Sequence, residues 1–216
     1  MNRDFEIKQL LRAFRGGIMS EAAFEEEITR LEHESAGQDQ TSNPPPFEAC
    51  GRSYRSERDG VLSFLDELHA AQMDSAVGFA KWSAVCRTKG LRTGLLVAAE
   101  RAAYHTRIIQ RRMHELAGEL HATTSEQGQR LIEVLANSQI SDVEKLAALA
   151  PMIQEPQRSI APLLAFAAAL ANDLETKQAL RLIAEDELST ASWLQEVYGA
   201  MTTMQPNATA APAPQQ

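Results

Sequence analysis

A histidine and a carboxylate stand where helical spacing calls for apolar side chains. Leu95, Ala98, Ala102, His105, Ile109, Met113 and Leu116 recur at intervals of three and four, and His105 lies mid-seam. A second seam runs Leu180, Ile183, Glu187, Thr190, Leu194, Val197 and Met201, with Glu187 near its middle. A carboxylate on a core seam is costly unless it is protonated, paired or bound to a metal. Two such residues on two long helices are therefore expected to meet. A third carboxylate, Glu67, flanks a seam of Phe64, Leu68, Ala71, Phe79 and Trp82, while Asp66 and Asp74 are its acidic neighbours on that helix. Other reactive patterns are sparse. His69 reads as a satisfied, half-buried histidine beside Leu65 and Leu68, and His114 and His121 lie near a helix end, where a cation suits the dipole. There is no GxSxG elbow and no Gly-rich phosphate loop, since Gly16-Gly17 alone means a turn. Cys50 and Cys86 lack zinc spacing and read as free thiols.

The elements that must position these groups follow from periodicity. Helices are predicted over 58–87, 91–119, 156–172 and 174–203. The first and last connections are tight turns, at Thr88-Lys89-Gly90 and Asn172-Asp173. The middle one is long, roughly 36 residues, with helical pieces at 126–137 and 141–149. Short, long, short is the connectivity of a four-helix bundle with one crossover. The helix over 156–172 has no Asp, Glu or His, and Asp173, just past its end, reads as a cap for the helix that follows. Ahead of the bundle, residues 5–33 hold two short amphipathic helices, with Leu10, Leu11 and Phe14 on one and Phe24, Ile28 and Leu31 on the other. Gly16-Gly17 ends the first and Ser20 can cap the second. Residues 34–57 are polar and Pro-bearing and read as a linker. Residues 204–216, rich in Ala, Pro and Gln, read as a disordered tail.

Two stretches carry family resemblances. IKQLLRAFRGGIMSEAAFEEEITRL resembles the short helical hairpin called the SHOCT domain, which implies docking or self-association rather than chemistry. The run Leu182-Ile183-Ala184-Glu185-Asp186-Glu187-Leu188-Ser189-Thr190-Ala191-Ser192-Trp193-Leu194 looks like the last helix of ferritin-like di-iron proteins, where Asp-Glu-x-x-His precedes a small residue and Trp-Leu. Asp186, Glu187 and Trp193-Leu194 fit that pattern, but Thr190 stands at the histidine position. Around His105 the histidine of the family's Glu-x-x-His is kept, while Ala102 stands at the glutamate position. Glu100 is about 140° round the helix from His105 and so is a poor substitute without a π-bulge. The resemblance implies a ferritin-like bundle over 58–203 whose di-iron motifs are half lost. The ligand set it leaves is Glu67, His105 and Glu187, with Glu100 and Tyr104 as a second shell. Such a set could hold one iron or manganese ion, or could be a buried Glu–His pair that fixes packing.

Composition narrows the classes of partner. Of 216 residues 44% are hydrophobic but 6% aromatic, which favours helices packed on small side chains over a β-sandwich. The net charge of -8 repels phosphate backbones and anionic lipid, so neither nucleic acid nor a membrane surface is expected as a partner. Arg107, Arg111 and Arg112 read as a solvated helix face. No apolar run reaches membrane-spanning length and no leader is evident, so a cytoplasmic protein is expected. The expectation is an all-α, degenerate ferritin-like bundle acting as an interaction or assembly module. It would carry no cofactor, self-associate, and recruit a protein partner through residues 5–33. The alternative is a metal-dependent oxidoreductase or metal-binding protein using iron or manganese at Glu67, His105 and Glu187.

Overall fold

The computed structural model describes residues 19–36 and 46–203, together with Ile7, Leu10, Leu11 and Phe14. The chain divides into two units, Met1–Pro44 and Pro45–Gln216. In the first, Ile7, Leu10, Leu11 and Phe14 are helical, and α1 spans Glu21–Ala36. Ser20 accepts a bond from the Ala23 amide at 3.3 Å, as an N-cap does. The rings of Phe14 and Phe24 stack with centroids 5.0 Å apart, so the two apolar faces meet. Gly16, Gly17 and the expected tail over 204–216 lie outside the described residues.

The second unit begins with a β-hairpin that the polar composition of residues 34–57 conceals. Strands β1 (Phe47–Ala49) and β2 (Arg52–Tyr54) pair antiparallel, with Phe47 opposite Tyr54. Their two-residue turn has positive φ at both Cys50 (51°) and Gly51 (74°), as the right-handed strand twist requires. The linker expected over 34–57 therefore does not extend through 47–54. Phe47 sets its ring edge-on to Phe166 at 5.9 Å, and Phe64 stacks on Phe166 at 4.0 Å, so the hairpin closes one end of the helical core.

Three long helices follow that frame: α2 (Glu57–Val85), α3 (Lys89–Glu115) and, after the crossover, α8 (Leu174–Thr203). Ser56 caps α2 and Asp173 caps α8, the latter by accepting from the Thr176 amide at 2.9 Å. Helix α3 stops at Glu115 rather than running to 119, because Ala117 takes a left-handed φ of 50° and the Gly118 amide bonds back to Met113 O. Gly118 is needed one residue further on, where a Cβ would strike Leu62.

The crossover contains α4 (Glu126–Ala136), α5 (Asp142–Ala148) and α6 (Ala150–Ile153). It leads into α7 (Pro156–Ala169), which has 14 residues against 27 to 30 in the long helices. At 1.5 Å per residue α7 is about 21 Å long and spans half the bundle. The core divides accordingly. One apolar cluster unites Val61, Leu65, Ile109, Met113, Phe166 and Ile183, with α7 as its fourth wall. The other unites Trp82, Leu95, Leu135, Leu146, Ile153 and Leu194, with the crossover helices in that place. Taken as a whole the chain is mostly helical, and no helix among the described residues is long and apolar enough to cross a membrane.

Candidate functional site

Between the two apolar clusters lies a polar layer, crossed by all three long helices. On α2, Gln72 sits between Leu65 and Trp82; on α3, His105 sits between Leu95 and Ile109; on α8, Asp186 and Glu187 sit between Ile183 and Leu194. Gln72 is 4% exposed and His105 is 1% exposed, so both depend on protein partners.

Those partners form a chain of bonds. The Gln72 amide nitrogen donates to Glu187 Oε1 at 3.2 Å, which turns the Gln72 carbonyl oxygen towards His105 Nδ1 at 3.1 Å. Gln72 so oriented accepts a hydrogen from Nδ1, and the Nε2–Asp186 contact is a hydrogen bond only with a second hydrogen, carried by the ring or by the carboxyl. On the far side of the ring, Nε2 lies 3.0 Å from Asp186 Oδ2. Glu187 Oε1 stands 4.0 Å from Nδ1, so it reaches the imidazole mainly through Gln72. The two carboxylates are about one-third exposed, at 31% and 35%, so water solvates their outer oxygens while the inner ones face the ring.

Of the expected set, His105 and Glu187 are brought together and Glu67 is not. Its side chain is 55% exposed and ion-paired with Arg52 of the hairpin. The reason is a rotation of α2. The buried side chains include Val61, Leu65, Gln72, Trp82 and Ser83, while Ala71 is exposed. Phe64 and Leu68 still pack against the core, half-buried, but the fully buried line through Val61, Leu65 and Gln72 lies roughly 60° further round the helix, which leaves Glu67 outside and brings Gln72 in. Glu100 is exposed, and Tyr104 is 49% exposed with the Arg107 guanidinium over its ring at 5.8 Å. Neither supports His105 from behind. Thr190, at the position where the resembled family has histidine, faces Arg101 Nη1 at 3.5 Å. Gln72 went unseen because it cannot ionise, although it falls seven residues from both Leu65 and Phe79 on a heptad-like seam.

As placed, these groups do not converge on one point in the way an iron or manganese ion would require. Asp186 addresses Nε2 and Glu187 lies on the Nδ1 side, and the two nitrogens point to opposite sides of the ring. The two carboxylates therefore approach different nitrogens and do not meet one of them together. Among the described residues no three His, Cys, Asp or Glu side chains are grouped to hold a metal.

Three other polar anchors fix the framework. Glu57 accepts from the amides of Ala171, Asn172 and Asp173 and from the Asn172 side chain, tying the α7–α8 turn to the start of α2. Burial pushes its pKa up, but these bonds outweigh it and hold the carboxyl below its ordinary value. Arg112, expected on a solvated face, is instead 11% exposed and pairs with Asp173 at 2.8 Å and with Glu175. Asp142, on α5, accepts from Trp82 Nε1 at 2.9 Å, the Thr88 hydroxyl at 2.9 Å and the amides of Arg87 and Thr88. Burial opposes its ionisation as well, and the bonds from Trp82, Thr88 and Cys86 again bring the net shift below the ordinary value.

The chain matches no family model, no curated protein and no solved structure.

Proposed function

We propose that this chain is a non-catalytic helical interaction or assembly module, built on a degenerate ferritin-like bundle. The observation that carries the reading is the closed polar layer. Both ring nitrogens of His105 are engaged by protein oxygens, and the carboxylates lie on opposite sides of the ring. Such a layer sets helix register and rotation, because any slip leaves buried donors without acceptors. The ferritin-like part of the proposal is supported by the short–long–short connectivity of α2–α3, the crossover and α7–α8. Its degenerate character is supported by the half-length α7, which has no acidic or histidine residue.

Self-association and capture of a protein partner are assigned to the SHOCT-like segment, residues 5–33. The Phe14–Phe24 stack shows that its two halves share an apolar face, and a hairpin of this size buries too little area to be stable alone. Cytoplasmic residence belongs to the same proposal and is supported by two free thiols, Cys50 exposed and Cys86 buried. The test is light scattering of the full chain beside residues 45–203. The expected result is a higher mass per particle for the full chain at equal molar concentration. Two monodisperse monomers across the micromolar range would refute the assembly role. The competing metal-dependent oxidoreductase reading requires stoichiometric iron or manganese in the purified protein.

A further inference from the structure

The strangest group in the molecule is not in the polar layer. Lys145, on α5, is 0% exposed, and its Nζ has no hydrogen-bond partner among the described residues. Its neighbour in sequence, Leu146, belongs to the apolar cluster with Trp82 and Cys86, and Cys86, Asp142 and Arg87 are the ionisable groups near the Lys145 amine. The natural counter-ion, Asp142, is one turn away but already accepts from Trp82, Thr88, Arg87 and the Cys86 thiol, whose sulfur lies 3.5 Å from Oδ2. A buried amine without an acceptor forfeits the hydration it had in water, whichever its charge state. Burial drives the Lys145 pKa down; Asp142 and Cys86 act to raise it and Arg87 to lower it further.

The element that carries this amine is short and local in its support. Helix α5 has seven residues, begins at a Ser141–Glu144 capping box, and rests on α4, α6 and α8. A helix of that length is not stable apart from its docking. Its one strong tie to the α2–α3 turn is Asp142, and its heaviest penalty is Lys145, one turn further on.

We propose that α5 is a hinged cover over the α2–α3 turn: Asp142 latches it shut, the unpartnered Lys145 amine weakens that closure, and it lifts without unfolding the three long helices. Lifting uncovers the Cys86 thiol, which is otherwise fully buried and donates to Thr88 O and Asp142. It also bares the indole face of Trp82. Closed, the thiol is inert, because burial raises its pKa. Open, it is an ordinary surface thiol, available to a soft electrophile or to disulfide exchange. This device is independent of the assembly role proposed above.

The test follows alkylation of Cys86 by iodoacetamide in the full-length protein, with Cys50→Ser removing the exposed thiol. The cover predicts labelling without denaturant, with a urea dependence well below that of global unfolding. Lys145→Met, which keeps the stem and removes the amine, should slow labelling on the order of tenfold. Labelling that tracks global unfolding, or an unchanged rate in Lys145→Met, would overturn the proposal. Should Lys145→Met fail to fold, amide exchange in the parent chain decides: α5 must exchange faster than the cores of α2, α3 and α8, and equal protection removes the cover.

Discussion

His105 has as neighbours a glutamine and an aspartate, and the character of the molecule's centre follows from that. An imidazole that donates through Nδ1 and meets a carboxylate at Nε2 has both nitrogens engaged inside the fold. Removing it leaves the Gln72 carbonyl and an inner oxygen of Asp186 without a partner. His105→Ala is therefore expected to destabilise by about 3 kcal/mol. Glu67→Ala, which breaks one exposed pair with Arg52, should leave stability nearly unchanged. Urea denaturation of the two variants measures the contrast, and equal losses would reinstate Glu67 in the core. The carboxylates that tie segments together make a separate prediction. Glu57 and Asp142 bind protons more weakly in the folded chain than in the unfolded one, where their ordinary values are 4.5 and 3.8. The stability they supply is complete above about pH 5 and is lost as pH falls through their lower folded values. The urea midpoint should therefore fall as the pH drops below about 5. Asp142→Asn should flatten part of that slope, and an unchanged slope would show that the Trp82–Asp142 anchor contributes nothing.

At the scale of elements, what decides is how closely the helices approach. On α3, Gly94 is covered by the Trp193 ring of α8, so closely that a Cβ would overlap it. Gly94→Ala should cost about 1–3 kcal/mol through overpacking and should shift the Trp193 fluorescence. Unchanged stability and emission would mean that α3 and α8 stand further apart. Element positions were largely legible from periodicity: the four expected helices, the two crossover pieces and the Asp173 cap all recur in the structure. What was not legible depends on rotation and distance. The α2 seam could be read in two registers, since Phe64, Leu68 and Leu65 are all apolar, and only packing chose Leu65 and Gln72. The hairpin at 47–54 was hidden because three-residue strands are too short for a period to show. Trp82 and Asp142 are 60 residues apart, and nothing local to either announces the other.

At the scale of the whole molecule, a half-length α7 leaves the bundle with a composite fourth wall. The hairpin caps the end that α7 covers, through Phe47 and Phe166, and the crossover covers the other. Residues 45–203 should thus fold cooperatively. Residues 56–203, which keep the Ser56 cap and the Glu57 anchor but lack Phe47 and Tyr54, should be less stable by about 2 kcal/mol. Thermal melts of the two fragments compare them, and coincident transitions would detach the hairpin from the core.

The central claim is that the His105 layer is a packing device and not a metal centre. Elemental analysis of full-length protein, purified without chelator and dialysed, tests it most directly, with Glu187→Ala beside it. The account predicts iron and manganese far below one equivalent per chain in both samples. One equivalent that survives dialysis in the parent chain and disappears in Glu187→Ala would contradict it.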